Sequence, residues 1–213
     1  HGVYSWISAE NREAIVAILS RKLKVGGLVY ISYNSLPGWS AAMPMRELIF
    51  RHAGMSSEPT ALRVDKALEF VQRVADAQAS YFRANPGLLE RLDHIKRANR
   101  NYVAHEYFNQ DWNPQYFSEV AGELGVAKLT FAASTDLSTL IEPLALSPAS
   151  QQLLNSIADP EFRETVRDYC MNTQFRRDLF VKGKLGLSGP EMEDVLSQQR
   201  FVLSVPRSAL KLK

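Results

Sequence analysis

The chain has 213 residues, of which 46% are hydrophobic and 23% charged, with a formal net charge of +2. That balance is ordinary for a folded globular chain and argues against disorder, and so small a charge gives no reason to expect nucleic acid. No stretch approaches the ~18 to 20 consecutive apolar residues of a membrane span, and the first residues lack the pattern of a signal peptide, so a cytoplasmic protein is expected.

The chain opens on His1 rather than methionine and is read as a portion of a longer protein. Ser8 is placed to cap a helix whose apolar positions Ile15, Val16, Ile18, Leu19 and Leu23 follow the 3.6-residue period, and Gly26-Gly27 stop it. Leu28 to Tyr33 is a short, nearly continuous apolar run, which predicts a strand covered on both faces. Helix, glycines and strand make half of a βαβ unit, so the parallel neighbours of this strand are expected upstream of His1. Asn34-Ser35-Leu36-Pro37-Gly38-Trp39 reads as a turn leading into a helix from Pro44 to Gly54. In open α/β sheets ligands collect beyond the carboxyl ends of the strands, which is where that turn falls.

From Thr60 to Asn101 the period is helical, and two helices joined near Asn85-Pro86 are predicted. Tyr102 to Asn109 reads as a strand or extended loop, Asn113-Pro114 as the start of a helix ending at Gly125, and Lys128 to Ala132 as a second strand. A polar connection covers 134–147. Helices follow from Pro148 to Ile157 and from Pro160 to Met171, the second capped by Asp159. A last unit continues with Phe175 to Val181, a helix-like Pro190 to Leu196, and Phe201 to Val205, an order compatible with a small winged-helix-like module. The basic residues Arg200, Arg207, Lys211 and Lys213 at the end read as a solvated tail. Cys170 has no second cysteine for a disulfide or a zinc site, and its neighbours Val166, Tyr169 and Phe175 predict a buried structural thiol.

Two motifs at a fixed spacing carry a resemblance: His1-Gly2-Val3-Tyr4-Ser5-Trp6-Ile7, and Gly26-Gly27-Leu28-Val29-Tyr30-Ile31-Ser32-Tyr33-Asn34-Ser35-Leu36-Pro37-Gly38-Trp39. Ala104-His105-Glu106-Tyr107 with Trp112, Arg163-Glu164-Thr165, Asp168 and Phe175 to Val181 extend it over nearly the whole chain. Together they resemble bacterial class I methyltransferases that carry a methyltransferase regulatory domain, of which the rickettsial-type protein-lysine enzymes are members. The resemblance implies an α/β plus α fold. An incomplete Rossmann-like methyltransferase sheet would be interrupted by a helical regulatory insertion and followed by a winged-helix-like C-terminal domain, with boundaries at 1–56, 57–136 and 137–213. It also implies S-adenosylmethionine as cofactor and a protein lysine as methyl acceptor. The glycine-rich cofactor loop and the ribose-binding acid of the family are expected upstream, since no G-x-G-x-G occurs here. On that basis the 213 residues alone are not expected to catalyse transfer; they supply substrate-side walls and regulation to an upstream methyltransferase half. The alternative is a noncatalytic protein-interaction module.

Methyl transfer to an amine chiefly needs a neutral amine held in line with the methyl carbon, and aromatic faces with a few oxygen acceptors suit an amine or ammonium group. Tyr4, Trp6, Tyr33, Asn34 and Trp39 lie on the two turns that would border the cofactor's methyl end and are the leading pocket candidates. Packing of Trp6 and Trp39 beneath those turns is the competing assignment. His105 and Glu106 are candidates for a base and its orienting acid, although adjacent residues in a strand point to opposite faces. His52 and His94 have no companion ligands and are expected to be solvated, with no metal. Arg176 and Arg177 are assigned to ion pairs or an interdomain contact rather than to nucleic acid. The insertion carries Arg83, Arg91, Lys96, Arg97 and Arg100, a charged face suited to an acidic protein surface.

Overall fold

The computed structural model describes residues 2–183 and 186–200, together with Val202 and Pro206. The chain divides into two compact units, His1–Gly183 and Lys184–Lys213.

The first unit is built on a three-stranded sheet of β1 (Leu28–Asn34), β2 (Leu129–Ser134) and β3 (Phe175–Lys182) in the order β1-β3-β2. β3 is antiparallel to both neighbours, with Ile31 opposite Asp178 on one side and Phe131 opposite Phe180 on the other; the β2 register shifts between Phe131 and Ala133. Among the described residues β1 is an edge strand whose one partner is the antiparallel β3, which leaves its other edge open to the parallel neighbours expected upstream. One expectation is corrected. The segment Phe175–Lys182, assigned above to a C-terminal unit, is the central strand of the first, so it is not available to a separate winged-helix-like module. Nor is β1 covered along its whole length, because Leu28 is 62% exposed and Tyr30 39%, whereas Ile31 to Asn34 are buried.

Helix α1 (Ala9–Lys22) starts where Ser8 accepts from the Asn11 amide, a satisfied N-cap, but of its apolar positions only Val16 is buried. α2 (Met43–Gly54) has the expected proline in its first turn. The stretch 60–101 contains more breaks than its sequence predicts: α3 (Thr60–Asp76), α4 (Ser80–Ala84) and α5 (Gly87–Arg97) are separated by a left-handed Gln78 and by Asn85-Pro86. α6 (Arg100–Phe108) occupies the segment read as a strand or loop. Its β-prone Tyr102, Val103, Tyr107 and Phe108 misled, and packing decided the matter. Val103 and Tyr107, four apart, are both buried, and Asn99 caps the helix through the Asn101 amide.

α7 (Phe117–Gly125) begins where the Glu119 carboxylate accepts from the Tyr116 amide at 2.7 Å, later than Pro114. The connection 134–147 holds two single turns, α8 (Leu137–Leu140) and α9 (Glu142–Ala145). α10 (Pro148–Asn155) and α11 (Pro160–Met171) follow as predicted, the latter capped by Asp159 and closed by a left-handed Asn172. In the second unit α12 (Gly189–Ser197) has a Ser188/Glu191 capping box. The expected segment Phe201 to Val205 lies, apart from Val202, outside the described residues, as do Arg207, Lys211 and Lys213 of the basic tail.

Two apolar clusters hold the first unit. One joins Trp39, Met45 and Ile49 to Val64, Leu68 and Val71 of α3 and to Leu92 and Val103. The other packs Tyr33 and Phe180 of the sheet against Phe117, Val120 and Leu124 of α7. Cys170 is exposed, not buried, because the inward side of α11 is taken by the carboxylate of Asp168. His52 is likewise not a solvated histidine: its ring stacks on Phe70 at 4.5 Å, and Nδ1 is buried without a partner.

Candidate functional site

The site forms where two turns meet at the carboxyl end of β1. Tyr4–Trp6 is a single 3-10 turn whose Ser5 is fully buried. The Ser5 hydroxyl accepts from the Asn34 amide at 2.7 Å, and its carbonyl accepts from the Asn113 amide at 2.9 Å. The first turn is thus pinned to the end of the strand. Beyond Asn34 the chain bridges in parallel to Gln115, passes a cis Leu36–Pro37 peptide and turns at Gly38. A Cβ on Gly38 would lie 2.5 Å from the Asn172 and Thr173 carbonyl oxygens, so only glycine lets this turn close against the end of α11. Gly38→Ala is therefore expected to cost about 1–3 kcal/mol through forced backbone movement, measured as a lower denaturation midpoint.

A cavity of about 440 Å³ lies here, lined by Trp6, Asn34, Trp39, His105 and Glu106, five of the seven sequence candidates. Tyr4 and Tyr33 are not among its walls. Tyr4 is buried and donates to Glu123, and burial with that carboxylate beside it pushes the phenol well up. Tyr33 donates to Asp178 at 2.9 Å within the sheet core, and burial raises its phenol likewise. Both are structural donors.

Within the cavity wall the Trp6 and His105 rings stack at 4.8 Å. The α6 geometry settles the adjacency problem, because consecutive helical residues lie about 100° apart and both His105 and Glu106 reach the cavity. Trp39 is 5% exposed, meets Trp112 edge-on at 5.0 Å, and carries the Arg91 guanidinium over its face at 4.0 Å. It therefore both packs in the core and walls the site. The Asn34 Nδ2 is buried with no partner. Glu106 is half-buried; burial raises its carboxyl, offset by the charges of His105, Arg91 and Arg46.

A second cavity of about 430 Å³ shares Trp39, Arg91, Tyr102, Glu106 and Gln174 with the first, and adds His94 and Tyr107. The expected basic face of the insertion is thus divided. Lys96 is bound by Gln72 and Arg100 by Asp65, both on α3, whereas Arg91 turns into the site and donates to Gln174 at 3.1 Å. Arg91 was legible only as a cation at a core-facing position, between Leu88, Leu92 and Ile95. Arg46 gives the same signal among Met45 and Ile49. It is 5% exposed, donates to the backbone carbonyls of Glu106 and Asn109 at the end of α6, and lies over Trp112 at 4.2 Å. Burial lowers its guanidinium to about 10.

On the opposite side of β3, Arg176 fulfils the ion-pair assignment. It binds Asp168 at 2.8 Å, Asp178 at 2.7 Å and Glu164 at 3.0 Å, and stacks over Phe117. Arg177 pairs with Asp136 at 3.1 Å.

Comparison with known proteins bears on what this site belongs to. The chain is 52% identical over its full 213 residues to an uncharacterized protein of Synechocystis sp., covering 42% of that protein. It is 28% identical over 222 residues to an uncharacterized protein of Rickettsia prowazekii, covering 38% of it. The chain thus spans about two fifths of these relatives. Its fold matches that of PKMT2 from Rickettsia typhi, solved in complex with AdoHcy, with a TM-score of 0.72 at 24% identity over 91% of this chain and 36% of that one. A second PKMT2 structure matches with a TM-score of 0.69 at 25% identity. Residues 99–182, which run from the cap of α6 to the end of β3, match the family described as a predicted methyltransferase regulatory domain. Residues 99–182 are thus similar to a predicted methyltransferase regulatory domain, and the chain shares its fold with rickettsial PKMT2.

Proposed function

We propose that this chain forms the acceptor side and the regulatory region of an S-adenosylmethionine-dependent methyltransferase that modifies protein lysine. The observation that carries the reading is the cavity at the carboxyl end of β1, walled by Trp6, Asn34, His105 and Glu106. It stands in a fold shared with a protein crystallised with AdoHcy.

The residues present fit one end of the cofactor only. Asn34 offers a buried amide donor without a partner beside the cavity, whereas no G-x-G-x-G run exists in these 213 residues to cradle a nucleoside. When bound, S-adenosylmethionine supplies the methyl group on a sulfonium. The chain's own residues deal with the amine. The Glu106 carboxylate and the ring faces of Tyr102 and Trp6 hold an amine or ammonium group, and the His105 imidazole is the base that the cavity offers for its proton. The walls keep the amine oriented, which is the larger part of catalysis for an in-line displacement.

The test uses the full-length protein with methyl-labelled cofactor and a panel of folded protein acceptors, read by mass spectrometry. Label on lysine side chains is expected. Label confined to small molecules, or cofactor binding with no transfer to any protein, overturns the reading.

A further inference from the structure

We propose that Arg91 is a positioning residue of this site, a fixed cation that sets the charge on Glu106 against which the acceptor amine is held. The inference rests on the methyltransferase reading above. Arg91 and Glu106 both line the wall shared by the two cavities. The guanidinium is held by the Trp39 face at 4.0 Å, by the Gln174 side-chain oxygen at 3.1 Å and by a hydrogen bond with the Tyr107 hydroxyl. Among the described residues it makes no salt bridge, unlike Arg100 of the same insertion, which reaches Asp65 at 2.6 Å. Its Nε is buried without a hydrogen-bond partner among the described residues. A half-buried guanidinium with an unmet donor and no carboxylate of its own costs folding free energy, so its placement on a cavity wall points to a task there.

The task follows from what faces Glu106. Among the described residues its side chain forms no hydrogen bond or ion pair, although its backbone carbonyl is held by Arg46 at 3.2 Å. The charged and titratable groups around it are His105, Tyr102 and Tyr107 of its own helix, Arg91 of α5 and Arg46 of α2, with Glu90 and His94 of α5 on the second cavity that it also lines. Burial pushes the carboxyl toward its neutral form, and a neutral carboxyl holds an ammonium poorly. Arg46 is spent on the backbone carbonyls of Glu106 and Asn109. Arg91 is the cation that shares the cavity with the Glu106 side chain while keeping its own position independent of it.

Two readouts on the full-length protein decide the point. The first is the titration of the Glu106 carboxyl, followed by NMR with labelled glutamate and assigned with Glu106→Gln. In Arg91→Met its midpoint is expected to move to higher pH, and in Arg91→Lys to stay near that of the parent protein. The second is kcat/KM for a protein acceptor from about pH 5 to 9. The acidic limb is expected to move up in Arg91→Met, with a several-fold greater loss at the acidic end than at the alkaline end, and to be restored by lysine. Arg91→Gln, which keeps a donor for Gln174 without the charge, replaces the methionine variant if that one melts early. An unmoved Glu106 midpoint in the neutral variants overturns the proposal whatever the activity. A moved midpoint in a protein that transfers no methyl group upholds the Arg91 assignment and overturns the methyltransferase reading alone.

Discussion

Replacing Arg176 with methionine is expected to cost about 3–5 kcal/mol of folding stability, the range for breaking a buried pair by removing one partner. Arg176 is 6% exposed, and its guanidinium serves Asp168 (3% exposed) and Asp178 (fully buried) at once, with Glu164 on a third nitrogen. Methionine would fill much of the space but leave two desolvated carboxyls without a cation. Tyr33, which donates to Asp178, connects the same network to β1, so the loss falls on the pairing of β1 with β3 as well as on α11. Chemical denaturation of the variant and its parent measures it. A loss below about 1 kcal/mol, typical of an exposed pair, would mean that the network is solvated.

The pH dependence of that loss follows from the charge balance. One guanidinium cannot neutralise two buried aspartates, and burial holds both carboxyls above the ordinary range, Asp168 at about 6 against the usual 3.8 of an aspartate. A carboxyl raised on folding binds its proton more tightly in the native than in the unfolded chain. Its contribution is therefore fully present below about pH 4 and is lost as pH rises through about 6. The Arg176→Met penalty should accordingly be smaller near pH 5, where the carboxyls take up protons, than at pH 8. Asp168→Asn, which keeps an oxygen for the Arg176 Nη1, should flatten the fall in stability between those limits.

How much of this was legible in the sequence depended on whether the signal was local. Ser8, Asp159 and Pro160 mark helix starts by short-range hydrogen bonding, and all three were readable. The segment of β3 was picked out but its sheet was not, since nothing within Phe175–Lys182 says that its partners lie about 50 and 150 residues upstream. α6 was missed because β-prone side chains packed well on a helix, where the four-residue spacing of Val103 and Tyr107 was the better guide. In the site, the turn motifs located Trp6, Asn34 and Trp39, but Tyr4 and Tyr33 were assigned by proximity in sequence while their hydroxyls point to Glu123 and Asp178. Arg46 and Arg91 carried a usable signal, a cation on an apolar helical stripe, that only the surrounding packing made meaningful.

On the proposed methyltransferase reading, Glu106→Gln is expected to lower kcat/KM for a protein acceptor by about 10- to 100-fold in the full-length protein while leaving stability nearly unchanged. The magnitude corresponds to one charge-assisted hydrogen bond, about 1.5–3 kcal/mol. Stability should hold because the Glu106 side chain forms no hydrogen bond or ion pair among the described residues, and glutamine has the same shape without a charge to desolvate. The sign can even be favourable above the midpoint of Glu106, since burial already opposes its ionisation. Glu69→Gln makes the control, because that residue of α3 is exposed and lines neither cavity. It should change neither rate nor stability. If Glu106→Gln loses stability in proportion to activity, the carboxylate belongs to the scaffold. If it keeps full activity at every pH, the amine is held elsewhere, and the aromatic wall of Trp6 and Tyr102 becomes the part of the cavity to alter next.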